Sequence, residues 1–312
     1  MTQPKLPWSV RGSDFARGDW HVRPTVGYQL MFEFLRLSPS YELARKFRNE
    51  GLSNEEKEKL PDDFDEVIKT YDLFGDVQRI LFRQWWIRVG IKIFGNPFLK
   101  PKVHKVCDLN GGLDINADQM TQSLDHYLQD IRRDQGLPAA VLVSIPLGLK
   151  KAELKRQIEK IIQHSSADKK VIKKPQLQLE GQRLRPDVLF NGLRLLWFKA
   201  AKPHWEDWRL GVFAEVSKPY AKVLDINAPR RTATILEADD RNTMARTTNR
   251  ALKKYQFIAE NAARKRFPVD EEIEIADFDY PKLAKRIQRK NAWEKKEKAR
   301  LIQLHQQRQQ SN

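Results

Sequence analysis

Apolar positions along this chain recur mostly at helical spacing. Tyr28, Met31, Phe32 and Leu35 fall at i, i+3, i+4 and i+7, which predicts a helix over residues 25–37 with one apolar face. Ser38-Pro39 interrupts the pattern and restarts it. A Ser before Pro fits an N-cap with Pro in the first helical position, where its missing N–H costs nothing. A second helix is expected through Tyr41, Leu43, Ala44 and Phe47, and another through Val67, Ile68, Tyr71 and Phe74. The run from Val77 to Phe94 is aromatic and apolar, with Trp85 and Trp86 at its centre, and reads as core packing. Met120, Leu124, Tyr127, Leu128 and Ile131 mark a helix over 120–135 that ends at Gly136-Leu-Pro138. Residues 139–147 (AAVLVSIPL) are short, β-branched and apolar, and form the best strand candidate. An amphipathic helix follows over 151–163, carrying Leu154, Ile158, Ile161 and Ile162.

The second half repeats the helical theme. Pro186 opens a helix with Val188, Leu189, Leu193, Leu196 and Trp197 inward, and Ala201-Lys-Pro-His204 is a turn. A second helix is expected from about Trp205 to Val216, so the pair outlines a helix-turn-helix. Residues 218–238 read as a connector holding a small hairpin or wing. Asp239 and Asp240 then offer N-caps to a long helix that ends before Pro268. Residues 282–310 read as a polar helical extension. Residues 1–24, with Pro4, Pro7 and Pro24 beside Arg11, Arg17 and Arg23, read as a basic arm. The expected fold is mainly α: a helical two-domain protein with a helix-turn-helix-like unit and a few short strands. Its parts would be the arm at 1–24, a helical N-terminal domain at 25–136, a nucleic-acid-binding domain at 137–267, and an acidic linker with a basic tail at 268–312.

Charge sharpens this picture. The 312 residues hold 57 Lys and Arg against 41 Asp and Glu, a formal net charge of +16. Such an excess speaks of polyanionic partners rather than of fold. It is also clustered: residues 145–210 carry fifteen basic and seven acidic side chains, residues 218–266 twelve and five, and residues 281–312 ten and two. The candidate nucleic-acid contacts are Arg230 and Arg231 in the connector, Arg241, Arg246, Arg250, Lys253 and Lys254 on the long helix, and Arg286, Arg289 and Lys290 in the tail. Arg and Lys reach phosphates, and Arg can pair bidentately with guanine.

Other chemistries find less support. Cys107 is the only cysteine, which excludes a disulfide framework and a cysteine-based zinc site. The six histidines are scattered without metal spacing. The stretch from Asp108 to Gln119 imitates a calcium loop, but Leu113 stands where Gly is needed and Gln119 where a bidentate Glu is needed. A metal-dependent nuclease would need an acid two residues before Lys199, and Trp197 stands there. No Walker-type or dinucleotide-binding glycine pattern occurs. The first 24 residues have no apolar core of a signal peptide, and no stretch approaches about 18 apolar residues, so a cytosolic chain is expected.

Three stretches add a resemblance. FEFLRLSPSYELARKF (Phe32–Phe47), VSIPLGLKKAELKRQIEKI (Val143–Ile161) and RTTNRALKKYQFIAENAARKRFP (Arg246–Pro268) together resemble transcriptional-regulator-like proteins of bacteria, often carried with plasmids or integrated elements. The resemblance implies a helix-turn-helix-like C-terminal part and DNA binding. The expectation is therefore a non-catalytic DNA-binding regulator of a mobile element, without a cofactor. RNA is the second candidate ligand, and the N-terminal domain could hold a protein partner or a second copy of the chain. The competing readings are a structural subunit that clamps nucleic acid without reading it, and a metal-dependent nuclease.

Overall fold

A computed structural model describes residues 7, 10, 12–16, 18, 20–95, 103–109, 117–132, 139–165, 175–180, 184–229, 231 and 234–310. Eleven of the 24 residues of the expected arm, the turn at 110–116, the helix end past 132, the linker at 166–174 and Arg230 lie outside the described residues. The fold is mainly helical, as the periodicity predicts. The expected short strands are not found among the described residues. Residues 139–147 are neither helical nor paired in a sheet, and Val141, Leu142, Val143, Ile145 and Leu147 are exposed. Their composition suits a strand, but a strand also needs a neighbour to take up its backbone hydrogen bonds, and no described segment does so.

The chain divides into two compact units, one made of residues 1–90 with 177–312 and the other of 91–176. This differs from the expected split at 137. The reason lies in α1 (Val26–Leu37), every residue of which is buried. Such a helix needs cover on all sides. It packs on α2 (Pro39–Asn49), on α9 (Pro186–Ala201) and on α12 (Ile235–Ala262), so N-terminal and C-terminal helices share one core. Periodicity shows that a face is buried; it does not say which distant segment buries it.

Within this first unit the expected joint between the first two helices forms. The Ser38 side chain accepts from the Tyr41 N–H at 3.0 Å, with Pro39 in the first turn of α2. Ser38 Oγ also donates to Glu260 of α12 at 2.7 Å, and the Ser40 N–H donates to the same carboxylate at 3.1 Å. Arg264 closes the group, donating to Glu260 at 3.1 Å and to both carboxylate oxygens of Asp63 at 2.5 and 2.6 Å. A buried carboxylate is tolerable only when so satisfied.

Asp63 lies between the short α3 (Asn54–Lys57) and α4 (Phe64–Phe74), which packs on α2. Trp85, at the end of α5 (Phe82–Trp85), is buried and donates its indole N–H to the Phe74 carbonyl at 2.9 Å. Trp86 stacks on Tyr28 with ring centroids 4.6 Å apart. The aromatic run is core, as expected. Each buried Phe of α1 contributes about 1.5–3 kcal/mol by leaving water.

Arg36 and Glu33 are the buried charges of α1, and Arg36 ties them to other elements. It donates to the carbonyls of Val77 and Ile80 at 2.7 Å and to the carboxylates of Glu33 and Glu294 at 2.7 Å. Glu294 belongs to α13 (Tyr280–Gln310), which runs along α9. The expected polar tail is therefore docked along its first half. Its Lys298 pairs with Asp14 at 2.8 Å. Near Asp14 the described part of the arm is also docked: the rings of Phe15 and Trp20 sit 4.8 and 4.7 Å from Phe190 of α9.

The second unit holds α6 (Ile91–Phe94), α7 (Ala117–His126) with a π-helical continuation over Tyr127–Ile131, and α8 (Lys151–His164). The amphipathic α8 forms where its pattern predicts, yet it contains no buried residue, and Ile161 and Ile162 are exposed.

Candidate nucleic-acid interface

The unit expected to bind nucleic acid is built on two close helix crossings, each made possible by a glycine. At Gly192 of α9 a Cβ would fall 2.2 Å from the Tyr255 ring of α12. Tyr255 also donates its hydroxyl to the Val188 carbonyl at 3.0 Å, fixing the crossing. At Gly211 of α10 (Asp207–Phe213) a Cβ would fall 2.0 Å from Thr248 Oγ1 and 3.2 Å from Met244 Cε, both on α12. The long α12 is thus a brace lying under α9 and α10.

The helix pair differs from its expected outline. The first helix, α9, occupies the expected range and ends in a connection over 202–206. The second, α10, stops at Phe213 rather than Val216, and a further short helix, α11 (Lys218–Val223), stands where a hairpin or wing was expected. Between them Glu215 takes the left-handed conformation, with φ 55°. The Glu215 N–H reaches the Val212 carbonyl at 3.1 Å and the Val216 N–H reaches the Gly211 carbonyl at 2.9 Å. That pair of bonds is a Schellman closure, whose left-handed position is usually glycine. Here it is Glu, so the sequence carries no glycine to announce the turn.

A small core joins α10, α11 and α12. Trp208, Leu224 and Met244 are buried together, with Val212, Tyr220, Ala221 and Ala245 packed on them. Trp208 also organises the loop after α11. The guanidinium carbons of Arg209 and Arg241 lie 4.7 and 4.5 Å from its ring centroids. Arg209 donates to the carbonyls of Ile226 and Ala228 at 2.7 Å, and Arg241 to that of Pro229 at 2.9 Å.

The expected contact residues fall into three groups. Arg241, Arg286 and Lys290 face inward. Arg241 holds the loop and pairs with Glu237. Arg286 donates to the Leu37 carbonyl at 2.9 Å, and burial lowers its pKa, with Glu42 and Glu260 acting the other way. Lys290 lies 3.8 Å from Glu33 and 3.5 Å from Glu294. Long helices carry cations on every face, and the sequence alone did not show which face α1 covers. Lys253 and Lys254 are exposed but paired, with Glu272 at 2.8 Å and Asp270 at 3.0 Å, because the acidic stretch after Pro268 folds back along α12. Arg231, Arg246, Arg250 and Arg289 are exposed and form no ion pair among the described residues. Lys218 and Lys222 of α11, which the sequence reading did not single out, have the same character. Asn249 lies exposed between Arg246 and Arg250.

α12 itself begins earlier than expected. Thr234 caps it, its side chain accepting from the Glu237 N–H at 3.2 Å, so Asp239 and Asp240 lie inside the helix. The segment weighed as a nuclease motif is helical, as its pattern predicts, and Lys199 pairs there with Asp207 at 3.0 Å. Among the described residues no three His, Cys, Asp or Glu side chains converge as metal ligands, and no helix is long and apolar enough to cross a membrane. No family model, no curated protein and no solved structure matches the chain.

Proposed function

We propose that this protein is a non-catalytic DNA-binding regulator, acting through the helices of residues 186–262. One observation carries the reading. The braced unit presents Lys218, Lys222, Arg231, Arg246 and Arg250 outward, and none of them has a carboxylate partner among the described residues. Several neighbouring cations are neutralised, as at Lys199, Lys253, Lys254 and Arg264. Leaving this set unpaired in a chain of net charge +16 suits a phosphate backbone, whose condensed counterions are released when Lys and Arg replace them.

The test is a fluorescence-anisotropy titration of the full chain against a random duplex and a single-stranded RNA, at two salt concentrations, with and without magnesium. The reading expects salt-sensitive duplex binding and an intact duplex. Preference for the single strand, or equal binding of any sequence after selection, would favour a clamping subunit. Magnesium-dependent cleavage would favour a nuclease.

A further inference from the structure

We propose that the short helix α11, and not the longer α12, enters the major groove, with Lys218, Pro219, Lys222 and Val223 as its reading face. The proposal rests on the DNA-binding function argued above. It assigns recognition to a segment that its sequence marked only as a connector.

The first support is the connection. Helices α10 and α11 are separated by four residues, 214–217, closed by the left-handed Glu215. Two helices joined by a three- or four-residue turn, the second of them lying in the groove, is the arrangement of helix-turn-helix readers. The pair α9–α10, by contrast, is joined by the longer connection over 202–206.

The second support is the division of α11 into an inner and an outer side. Tyr220 and Ala221 pack on the core that contains Leu224. Lys218, Pro219, Lys222 and Val223 are exposed, Val223 at 71%. An exposed valine flanked by unpaired lysines is poorly explained by water alone. It matches what a major groove offers, phosphates along the edges and thymine methyl groups on the floor.

The third support is the rigid loop that follows. Residues 226–229 are held by Arg209 and Arg241, both stacked on Trp208. That anchorage delivers the exposed Arg231 just beyond the loop. The competing helix is turned away. Arg246 and Arg250 lie two residues from Met244 and Thr248, which is about 200° around the helix from the face that packs on α10. α12 serves as the brace, and its cations are left for phosphates.

Selection of bound duplexes from a random pool by the full chain gives the site. Three variants are then compared on it, Lys218→Ala with Lys222→Ala, Val223→Ser, and Arg246→Ala with Arg250→Ala. All the changed side chains are exposed, so thermal melting should match the parent and a folding defect would be seen there. The lysine pair should weaken binding to the selected duplex by at least about tenfold. Val223→Ser, carried through a repeated selection, should alter preference at a thymine position. The arginine pair should weaken all duplexes alike and leave the selected motif unchanged. A motif altered by the α12 variant and untouched by both α11 variants would overturn the assignment alone. A parent chain that enriches no sequence would overturn it together with the regulatory reading.

Discussion

The close approach of α10 to α12 makes Gly211→Ala an informative perturbation. The added Cβ would meet Thr248 Oγ1 at 2.0 Å, with Met244 Cε and Cγ at 3.2 and 3.3 Å. Thr248 cannot swing away cheaply. It is fully buried, its hydroxyl donates to the Met244 carbonyl at 2.8 Å, and a β-branched side chain in a helix has few rotamers. Overpacking of this kind costs up to about 3 kcal/mol, and the better helix propensity of Ala returns about 1 kcal/mol. The net loss is about 2 kcal/mol, or a fall in Tm of about 4–8 °C for a unit of this size. Thr248→Ala removes the atom that clashes. Alone it costs about 1 kcal/mol for the lost hydrogen bond. Combined with Gly211→Ala it should recover more than about 1 kcal/mol relative to the sum of the single changes. Urea and thermal unfolding followed by circular dichroism measure all four corners of the cycle. Duplex affinity should fall in the single Gly211 variant and return in the double one, since α11 is carried by α10. A Gly211→Ala variant as stable as the parent, or a double variant no better than additive, would refute the packing argument.

Other outcomes follow from the same geometry. Glu215→Gly relieves a left-handed residue at a cost of one exposed contact to Arg194 at 3.6 Å, and should raise stability by about 1 kcal/mol; an unchanged or lower Tm would count against the turn as described. Burial raises the Glu294 carboxyl pKa, but Arg36, Lys290 and Lys298 more than offset this and hold it below the usual glutamate range. Its contribution is therefore complete above about pH 4.3 and is lost as pH falls through the lower folded value. Urea midpoints of Glu294→Gln should accordingly start lower at neutral pH and decline less steeply in acid, and parallel curves for the two proteins would contradict this. Arg209→Ala should free the Ile226 and Ala228 carbonyls of the loop and reduce duplex affinity, although Arg209 itself is turned onto Trp208. Hydrogen exchange that stays as slow at Ala228 as in the parent would show that the loop is held by other means.

Much of the helical layout was legible in the sequence, because amphipathic spacing and caps are local signals. The Ser38-Pro39 joint, the buried Trp85 and Trp86 and helices α8 and α9 follow from them. What escaped was of two kinds. One was local chemistry with an unusual residue. Glu215 occupies a glycine conformation, so the turn before α11 went unseen and that helix was absorbed into a connector. The other was tertiary. Nothing local told that α1 would be enclosed by helices from the far end of the chain, which merges the expected domains and draws Arg286 and Lys290 inward. The acidic stretch from Asp270 was visible, yet only the fold brings it onto Lys253 and Lys254. Residues 139–147 show the reverse case, a strand-like composition with no partner strand among the described residues.

Methylation interference distinguishes a helix seated in the major groove of DNA from one seated elsewhere. Guanine N7 faces the major groove and adenine N3 the minor groove. A duplex bearing the selected site is methylated sparsely, the full chain is added, and bound and free fractions are separated and mapped. Methylation at guanine N7 within one short segment should be depleted from the bound fraction if α11 lies in the major groove. Depletion confined to adenine N3, or binding that ignores methylation altogether, would contradict it.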